Sequence, residues 1–159
     1  MNGSNLPKLL VCLGAVLAAS GIGSLATVRA IPTWYKGLVK PSFNPPDWLF
    51  GPAWTLLYLL MAVAAWLVWK QGIGAAGVRL ALAVFLLQLI LNTLWSVLFF
   101  GMRSPLAGLV HIVVLWLAII ATIVLFFRVS VPAGTLLLPY IVWVSFAAVL
   151  NAAVLRLNR

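Results

Sequence analysis

Apolar residues fall in five long stretches separated by short polar or basic breaks. Because a helix rises about 1.5 Å per residue, ~20 apolar residues cross the hydrocarbon core of a bilayer. The pattern therefore predicts transmembrane helices at about residues 9–28, 46–69, 80–100, 105–127 and 132–155. Three of the four links are short, which makes consecutive helices antiparallel neighbours. We expect an all-α integral membrane protein, a five-helix bundle in which residues 1–159 form one domain.

Prolines mark the ends and interruptions of these helices. Ser104–Pro105 is a helix N-cap followed by a residue suited to the first turn, so it predicts where the fourth helix starts. Pro52 and Pro139 fall inside the second and fifth helices. Since proline lacks a backbone N–H, Pro52 is expected to kink the first half of the second helix.

The first link, predicted to run from Arg29 to Pro45, is long and rich in aromatic residues and prolines. Its prolines favour extended backbone in the residues before them, which predicts a semi-rigid loop. Trp34 and Trp48 in this region have two interpretations. They can form an aromatic belt at the lipid headgroups, or the loop can fold back as the lid or wall of a pocket. The stiffness of the loop favours the lid.

The charge pattern limits the classes of function. The chain has ten Lys and Arg residues against one acid, Asp47, and a mean hydropathy of +1.21. The cations lie singly or in pairs between apolar runs, as expected for side chains that reach lipid headgroups, and not in the patch typical of nucleic-acid binding. Six cations on the side of the long loop and C-terminus, against four on the other, predict that this side is cytoplasmic.

Few residues can perform acid–base or metal chemistry. With one histidine, one acid and one cysteine, the chain cannot form a catalytic carboxylate pair, a Ser–His–Asp set or an internal disulfide. A three-ligand metal site is excluded on the same grounds. His111 is expected to bond a neighbouring backbone or hydroxyl group, and Cys12 to be a small packing residue. This composition argues against a conventional enzyme and predicts no metal and no required cofactor.

Helical spacing indicates where a ligand can bind. Amides facing lipid are costly, so Gln88 and Asn92 are expected to point inward, either to bond other helices or to line a pocket. Rings and small side chains share faces with such groups on three helices: Trp54 and Tyr58; Asn92 and Trp95; Trp143, Ala147 and Asn151. In the first helix Ala15, Ala19 and Gly23 suit close helix packing, within the chain or in a dimer.

Several motifs together resemble the translocator protein family, also called the tryptophan-rich sensory protein (TspO) or peripheral benzodiazepine receptor family. They cover most of the chain: Trp34-Tyr35-x-Gly37-Leu38-x-Lys40-Pro41-Ser42, Pro45-Pro46-x-Trp48, Gly51-Pro52-x-Trp54, Gln88-Leu89-x-Leu91-Asn92-x-x-Trp95, Phe99-Phe100-Gly101 and Pro139-Tyr140-x-x-Trp143.

The resemblance implies a five-helix homodimer that binds porphyrins and, in eukaryotes, cholesterol and benzodiazepine-type drugs. Bacterial members are associated with tetrapyrrole regulation and stress sensing, and transport is implied by the family name. It places the ligand site on Trp34, Trp54, Tyr58, Asn92, Trp95, Trp143 and Ala147, with Trp48 added from the aromatic loop.

Two departures from the family pattern matter. Phe43 stands where the family commonly has tryptophan, and the run Val149–Arg156 lacks the tyrosine of the sterol pattern of animal members. The second departure lowers the expectation of cholesterol binding. It favours a bacterial member in the cell membrane over the mitochondrial outer membrane.

The resulting hypothesis is a membrane receptor or carrier for tetrapyrroles, with porphyrin or haem as ligand. Trp54, Trp95 and Trp143 would stack on the macrocycle while Tyr58 and Asn92 form hydrogen bonds to it. Lys36 or Lys40 would meet a propionate, if the ligand carries one. Two alternatives stay open: light-dependent porphyrin degradation, and a membrane scaffold whose pocket is incidental.

Overall fold

The fold is described by a computed structural model of residues 5–159, and this range holds five helical stretches long and apolar enough to cross a membrane. The predicted all-α, five-span membrane fold is confirmed. The last span consists of two helices, so the elements are α1 Asn5–Ala30, α2 Asp47–Trp69, α3 Val78–Ser96, α4 Pro105–Val129, α5 Val131–Leu136 and α6 Leu138–Leu157.

The first link is shorter than predicted, because the backbone stays helical beyond α1. A π-helical segment, Ile31–Tyr35, continues directly from Ala30, and only residues 38–46 lie outside helices before α2. Pro32 has no N–H and crowds the carbonyl one turn earlier, and a wider π turn accommodates both effects. The Thr33 hydroxyl donates to the Arg29 carbonyl at 3.0 Å. The prediction that the loop starts at Arg29 was wrong.

A second π-helical segment, Val97–Gly101, ends the third span. The Met102 N–H closes it on the Val97 carbonyl at 2.8 Å, and Arg103 then turns the chain with a φ of 53°. The Ser104 Oγ accepts the Ala107 N–H at 3.2 Å and starts α4, as the N-cap prediction required.

The fifth span breaks at Leu137, where one helix with an internal Pro139 was predicted. Pro139 lies in the first turn of α6 and has no N–H to offer the carbonyl one turn earlier, so the chain closes α5 and starts again. Pro52, by contrast, lies inside α2 without ending it.

The helices form a closed ring in which α1 packs on α2 and α3, α3 on α4, α4 on α6, and α2 on α5. The two ends of this ring differ. One, the close-packed end, consists of the N-terminal halves of α1 and α3, the C-terminal halves of α2 and α4, and α5. The other, the cavity end, holds the opposite halves of α1–α4, both π-helical segments and the C-terminal half of α6.

Candidate functional site

A layer of buried polar side chains crosses the middle of the bundle and separates the two ends. The Tyr58 hydroxyl donates to Asn92 Oδ1 at 2.7 Å, and Asn92 Nδ2 donates to the Tyr140 hydroxyl at 2.8 Å. Tyr140 in turn donates to Gln88 Oε1 at 3.1 Å. Gln88 and Asn92 are 1% and 2% exposed, which confirms that both amides point inward.

A cavity of about 360 Å³ lies on the cavity-end side of this layer, and we call it the aromatic cavity. Parts of α1, α2, α3 and α6 and both π-helical segments form its wall. Its volume is in the range of small-molecule sites, which are apolar with a few placed polar groups. The rings on its wall belong to Tyr35, Phe50, Trp54, Tyr58, Trp95, Phe99, Phe100 and Trp143.

The rings of the wall pack against one another in pairs. Trp54 lies beside Tyr58 with ring centroids 5.5 Å apart, one helical turn along α2. Trp95 stacks on Phe99 at 5.2 Å with 19° between the planes. Phe50 meets Trp143 edge to face at 6.0 Å, so rings from α2 and α6 touch across the wall. Such contacts favour fixed ring positions and a preformed flat-walled site.

The structure brings together five of the eight predicted site residues: Trp54, Tyr58, Trp95, Trp143 and Ala147 all line the aromatic cavity. The other three are Asn92, Trp34 and Trp48. Asn92 lies behind Tyr58 in the polar layer. Trp34 is in the first π-helical segment, with its ring edge to face on Phe99 at 5.6 Å. Trp48 is 72% exposed, in the first turn of α2. For all eight residues, the predicted role in ligand binding stays a prediction.

Sequence reasoning missed a polar face of α1 on the cavity wall. Ser20, Ser24 and Thr27 recur at helical spacing and line the cavity. Ser24 and Thr27 donate to carbonyls one turn earlier, at 2.8 and 2.9 Å, so their oxygen lone pairs remain available as acceptors. The spacing was visible in the sequence. Hydroxyls on a membrane helix can donate to carbonyls of their own helix, however, so their presence alone does not predict a site.

The second feature missed was the contact between the two π-helical segments. Tyr35 lies edge to face with Phe100 at 5.5 Å and is also close to Phe99, at 6.3 Å. All three rings line the cavity. π-helical turns often occur at functional sites, and here two of them form one part of the wall. Pro32 inside a helical run was the available signal for the first.

Two polar atoms of cavity-lining residues have no hydrogen-bond partner within the described part of the chain: Trp95 Nε1 and Asn151 Oδ1. Both atoms are buried. The amide nitrogen of Asn151 is satisfied, since it donates to the Pro105 carbonyl at 2.8 Å. Buried polar atoms are nearly always paired. Both atoms lie behind the surface of the wall, so neither is presented to the cavity.

Charge is concentrated at the edge of the cavity. Asp47, the one acid in the chain, lines it and is exposed. Lys40 Nζ lies 4.6 Å from the centroid of the Tyr35 ring, and Tyr35 donates its hydroxyl proton to Asn44 Oδ1 at 3.3 Å. Burial raises the pKa of the Tyr35 hydroxyl, and the Asp47 carboxylate raises it further.

The cavity opens sideways between α1 and α2. Ser24 on α1, and Gly51 and Thr55 on α2, line it and are exposed. Because these side chains are small, they leave a gap between the facing segments of the two antiparallel helices.

The lone histidine contributes to helix packing. His111 Nε2 donates to the Leu91 carbonyl at 2.8 Å, so it bonds a neighbouring backbone group as predicted and joins α4 to α3. Among residues 5–159, no three His, Cys, Asp or Glu side chains come together to hold a metal ion.

Fold and site define a small multi-pass membrane bundle with an aromatic cavity at one end. Residues 10–157 match the TspO/MBR family, so the chain belongs to it. It is 49% identical to the tryptophan-rich protein TspO of Chlorobaculum tepidum, with 94% of this chain and 95% of that protein covered. It is 48% identical to the protein of that name from Archaeoglobus fulgidus (97% and 99% covered). The tryptophan-rich sensory protein of Cereibacter sphaeroides is 42% identical (86% and 85% covered).

Proposed function

We propose that the protein is a membrane receptor or carrier that binds tetrapyrroles, such as porphyrin or haem, in the aromatic cavity, and that binding serves regulation or stress sensing. The observation that carries the proposal is the wall itself, where tryptophan rings from three helices surround one volume. The printed name of the Cereibacter relative supports a sensory role.

The ring positions suit a flat ligand. Trp54, Trp95 and Trp143 come from α2, α3 and α6, so a planar macrocycle between them would contact rings on more than one side. Large rings bury much apolar area and prefer offset or edge contacts with other aromatic systems. Ala147, one turn after Trp143, leaves room beside that ring. The side opening between α1 and α2 would admit the part of a macrocycle that exceeds the enclosed volume.

The polar groups suit a ligand with few, separated polar atoms. The Ser24 and Thr27 hydroxyls on α1 line the cavity and would accept from a ligand donor. At the edge, Lys40 would attract a propionate and Asp47 would repel one, so the edge of the cavity would orient a carboxylate towards Lys40.

A homodimer in the cell membrane, with the 38–46 loop and C-terminus facing the cytoplasm, belongs to the same proposal. Ala19 and Gly23 pack inside the chain: the Ala19 carbonyl accepts from Thr93, and a Cβ on Gly23 would lie 3.3 Å from Ser96 Oγ. The dimer would instead use exposed small residues of α1, namely Gly14, Ala18 and Gly21. Small residues at such spacing allow close helix approach in lipid.

The proposal is tested by titrating the purified protein in nanodiscs with protoporphyrin, haem and cholesterol while following tryptophan fluorescence. We expect saturable quenching by the tetrapyrroles, and a weaker response after Trp143→Phe or Trp95→Phe. Equal quenching by the wild type and by both variants would contradict binding in this cavity. Pigment conversion only under illumination would favour light-dependent degradation, and no saturable binding at all would favour the scaffold.

A further inference from the structure

Asn158, the residue directly after α6, joins that helix to the loop between the first two spans. Its Oδ1 accepts the Val39 N–H at 2.9 Å, and its Nδ2 donates to the Val39 carbonyl at 2.9 Å. The same Nδ2 donates to the Val154 carbonyl of α6 at 2.8 Å. One side chain therefore holds both backbone groups of Val39 and is itself anchored to its own helix.

Val39 is in the 38–46 loop, which leads from this contact to the edge of the aromatic cavity. The next residue, Lys40, lies over the Tyr35 ring, and Tyr35 lines the cavity. Further along, a turn closes from the Asn44 N–H to the Pro41 carbonyl at 3.0 Å, and the Asn44 side chain accepts from Tyr35. The loop is thus tied at one point to α6 and at another to a cavity residue.

The loop has little capacity to hold itself in place. Pro41, Pro45 and Pro46 have no backbone N–H, so they cannot donate to α6 or to any other element. The loop also meets α6 through apolar side chains: Leu38 packs against the cluster that includes Leu150 and Val154, and the Phe43 and Phe146 ring centroids are 6.4 Å apart. Since apolar contacts are not directional, Asn158 is the group that fixes the loop's register along α6.

We propose that Asn158 is a positioning residue for the ligand site: it latches the 38–46 loop to α6 and thereby sets how fast a ligand leaves the aromatic cavity. The part that concerns ligand release rests on the proposed function. The latch itself does not. Breaking it frees the loop at Val39, and with it Lys40, while Phe43 and Asn44 retain their contacts.

The variants are Asn158→Ala, which removes all three bonds, and Asn158→Asp, which keeps the acceptor for the Val39 N–H but loses both amide donations. Asn158 is exposed, so neither change disturbs the core. The matched control is Gln71→Ala, an exposed amide at the other end of the bundle whose Nε2 donates to the Leu67 carbonyl at 3.4 Å.

The first measurement needs no ligand. Hydrogen exchange at the Val39 amide, and the mobility of a nitroxide on Ser42→Cys, are followed in nanodiscs, where buried Cys12 does not compete for the label. We expect Asn158→Ala to speed Val39 exchange by ~5-fold or more, Asn158→Asp to speed it less, and Gln71→Ala to leave it unchanged. Unchanged exchange and mobility in Asn158→Ala would overturn the latch.

The second measurement is the dissociation rate of protoporphyrin. Asn158→Ala should raise this rate ~3–10-fold, with a smaller change in association, since such changes act mostly on dissociation. Faster exchange with an unaltered dissociation rate would overturn the positioning role. If the wild type binds no protoporphyrin while Val39 exchange responds as expected, the latch stands and the proposed function fails.

Discussion

The two ends of the bundle differ in the side chains that they bury and in how closely their helices pack. At the close-packed end, many buried residues are small or aliphatic and have almost no exposure: Ala62, Ala64, Ala65, Val68, Val78, Ala81 and Ala133. One stacked pair of rings, Phe85 and Phe126, is buried among them. Small residues let helices approach closely, and in lipid that close packing is a main source of stability.

At the cavity end, rings are more numerous and surround an open volume instead of filling it. Trp95, Phe99 and Tyr35 hold the helices apart, and the chain is π-helical at two of the adjoining helix ends. Polar atoms without partners occur here, behind the surface of the cavity wall. From this comparison we expect stability to come mainly from the close-packed end and the proposed binding to take place at the cavity end, with the Tyr58–Asn92–Tyr140 layer between them.

The largest effect on stability is expected at the close-packed end. Ala65 is 1% exposed, so Ala65→Leu forces extra methylenes between closely packed helices and should cost ~1–3 kcal/mol of stability. Thermal unfolding in a mild detergent measures it. Ala83→Leu, on the exposed face of α3, is the control and should change little. Ligand affinity of the folded Ala65→Leu protein should stay within ~2-fold, and a larger loss would mean that the ends are not independent.

At the cavity end, the same type of substitution should weaken ligand binding more than it lowers stability. Ala147 lines the aromatic cavity, so Ala147→Leu should fill it and weaken protoporphyrin binding ~10-fold or more. Its effect on thermal unfolding should be smaller than that of Ala65→Leu, because the new side chain enters existing space. Ala152→Leu, exposed on the same helix, is the matched control. Near-normal affinity combined with a large loss of stability would show that Ala147 is a packing residue.

A third variant tests the layer between the ends. Asn92→Ala removes the acceptor of Tyr58 and the donor to Tyr140 and should cost ~1–2 kcal/mol, the upper range for such bonds in membranes. Thr122→Ala is the control, because that hydroxyl bonds only within its own helix, to the Ala118 carbonyl. Since Tyr58 also lines the cavity, we expect Asn92→Ala to weaken binding as well as stability. A loss of stability with unchanged binding would mean that Asn92 acts only in helix packing. A loss of binding with unchanged stability would mean that it acts only at the ligand site.

Much of the fold followed from the sequence, because bilayer thickness imposes a length on each apolar run. Gln88 and Asn92 were also placed correctly, since lipid penalises exposed amides. The interruptions of the helices were harder to predict. Pro52 is accommodated inside α2, whereas Pro139 divides the last span, and the two differ in tertiary surroundings that sequence alone does not specify.

Residues of the cavity wall were predicted better on helices than at helix ends. Trp54, Trp95 and Trp143 came from helical spacing and motif resemblance, and all line the cavity. Trp34 and Trp48 were assigned to one loop, but one is in a π-helical segment and the other begins α2. The Asn158 contact with Val39 spans 119 residues, a distance at which no periodicity in the sequence gives a signal.

The smallest effect concerns charge at the edge of the cavity. Asp47 is exposed, so its field is screened by water and salt. Asp47→Asn should tighten binding of a dicarboxylate porphyrin ~2–5-fold at low ionic strength, leave its dimethyl ester unaffected, and lose the difference in high salt. Arg79→Gln, at the opposite end, is the control. Equal effects on the diacid and the diester would mean that Asp47 acts through packing and not through charge.

The same variant has a readout without ligand. Burial and the Asp47 carboxylate both raise the pKa of Tyr35, because each disfavours the phenolate. Asp47→Asn removes only the second cause, so the pKa of Tyr35 should fall but stay above its ordinary value of 10.0. Because that pKa is raised on folding, the associated stability is present below pH ~10 and is lost as pH rises through the folded value.

Ultraviolet titration of the wild type, Asp47→Asn and Tyr35→Phe isolates this group. An unmoved Tyr35 titration in Asp47→Asn would place the carboxylate too far away to act on the cavity edge, and would contradict the expected gain in diacid binding.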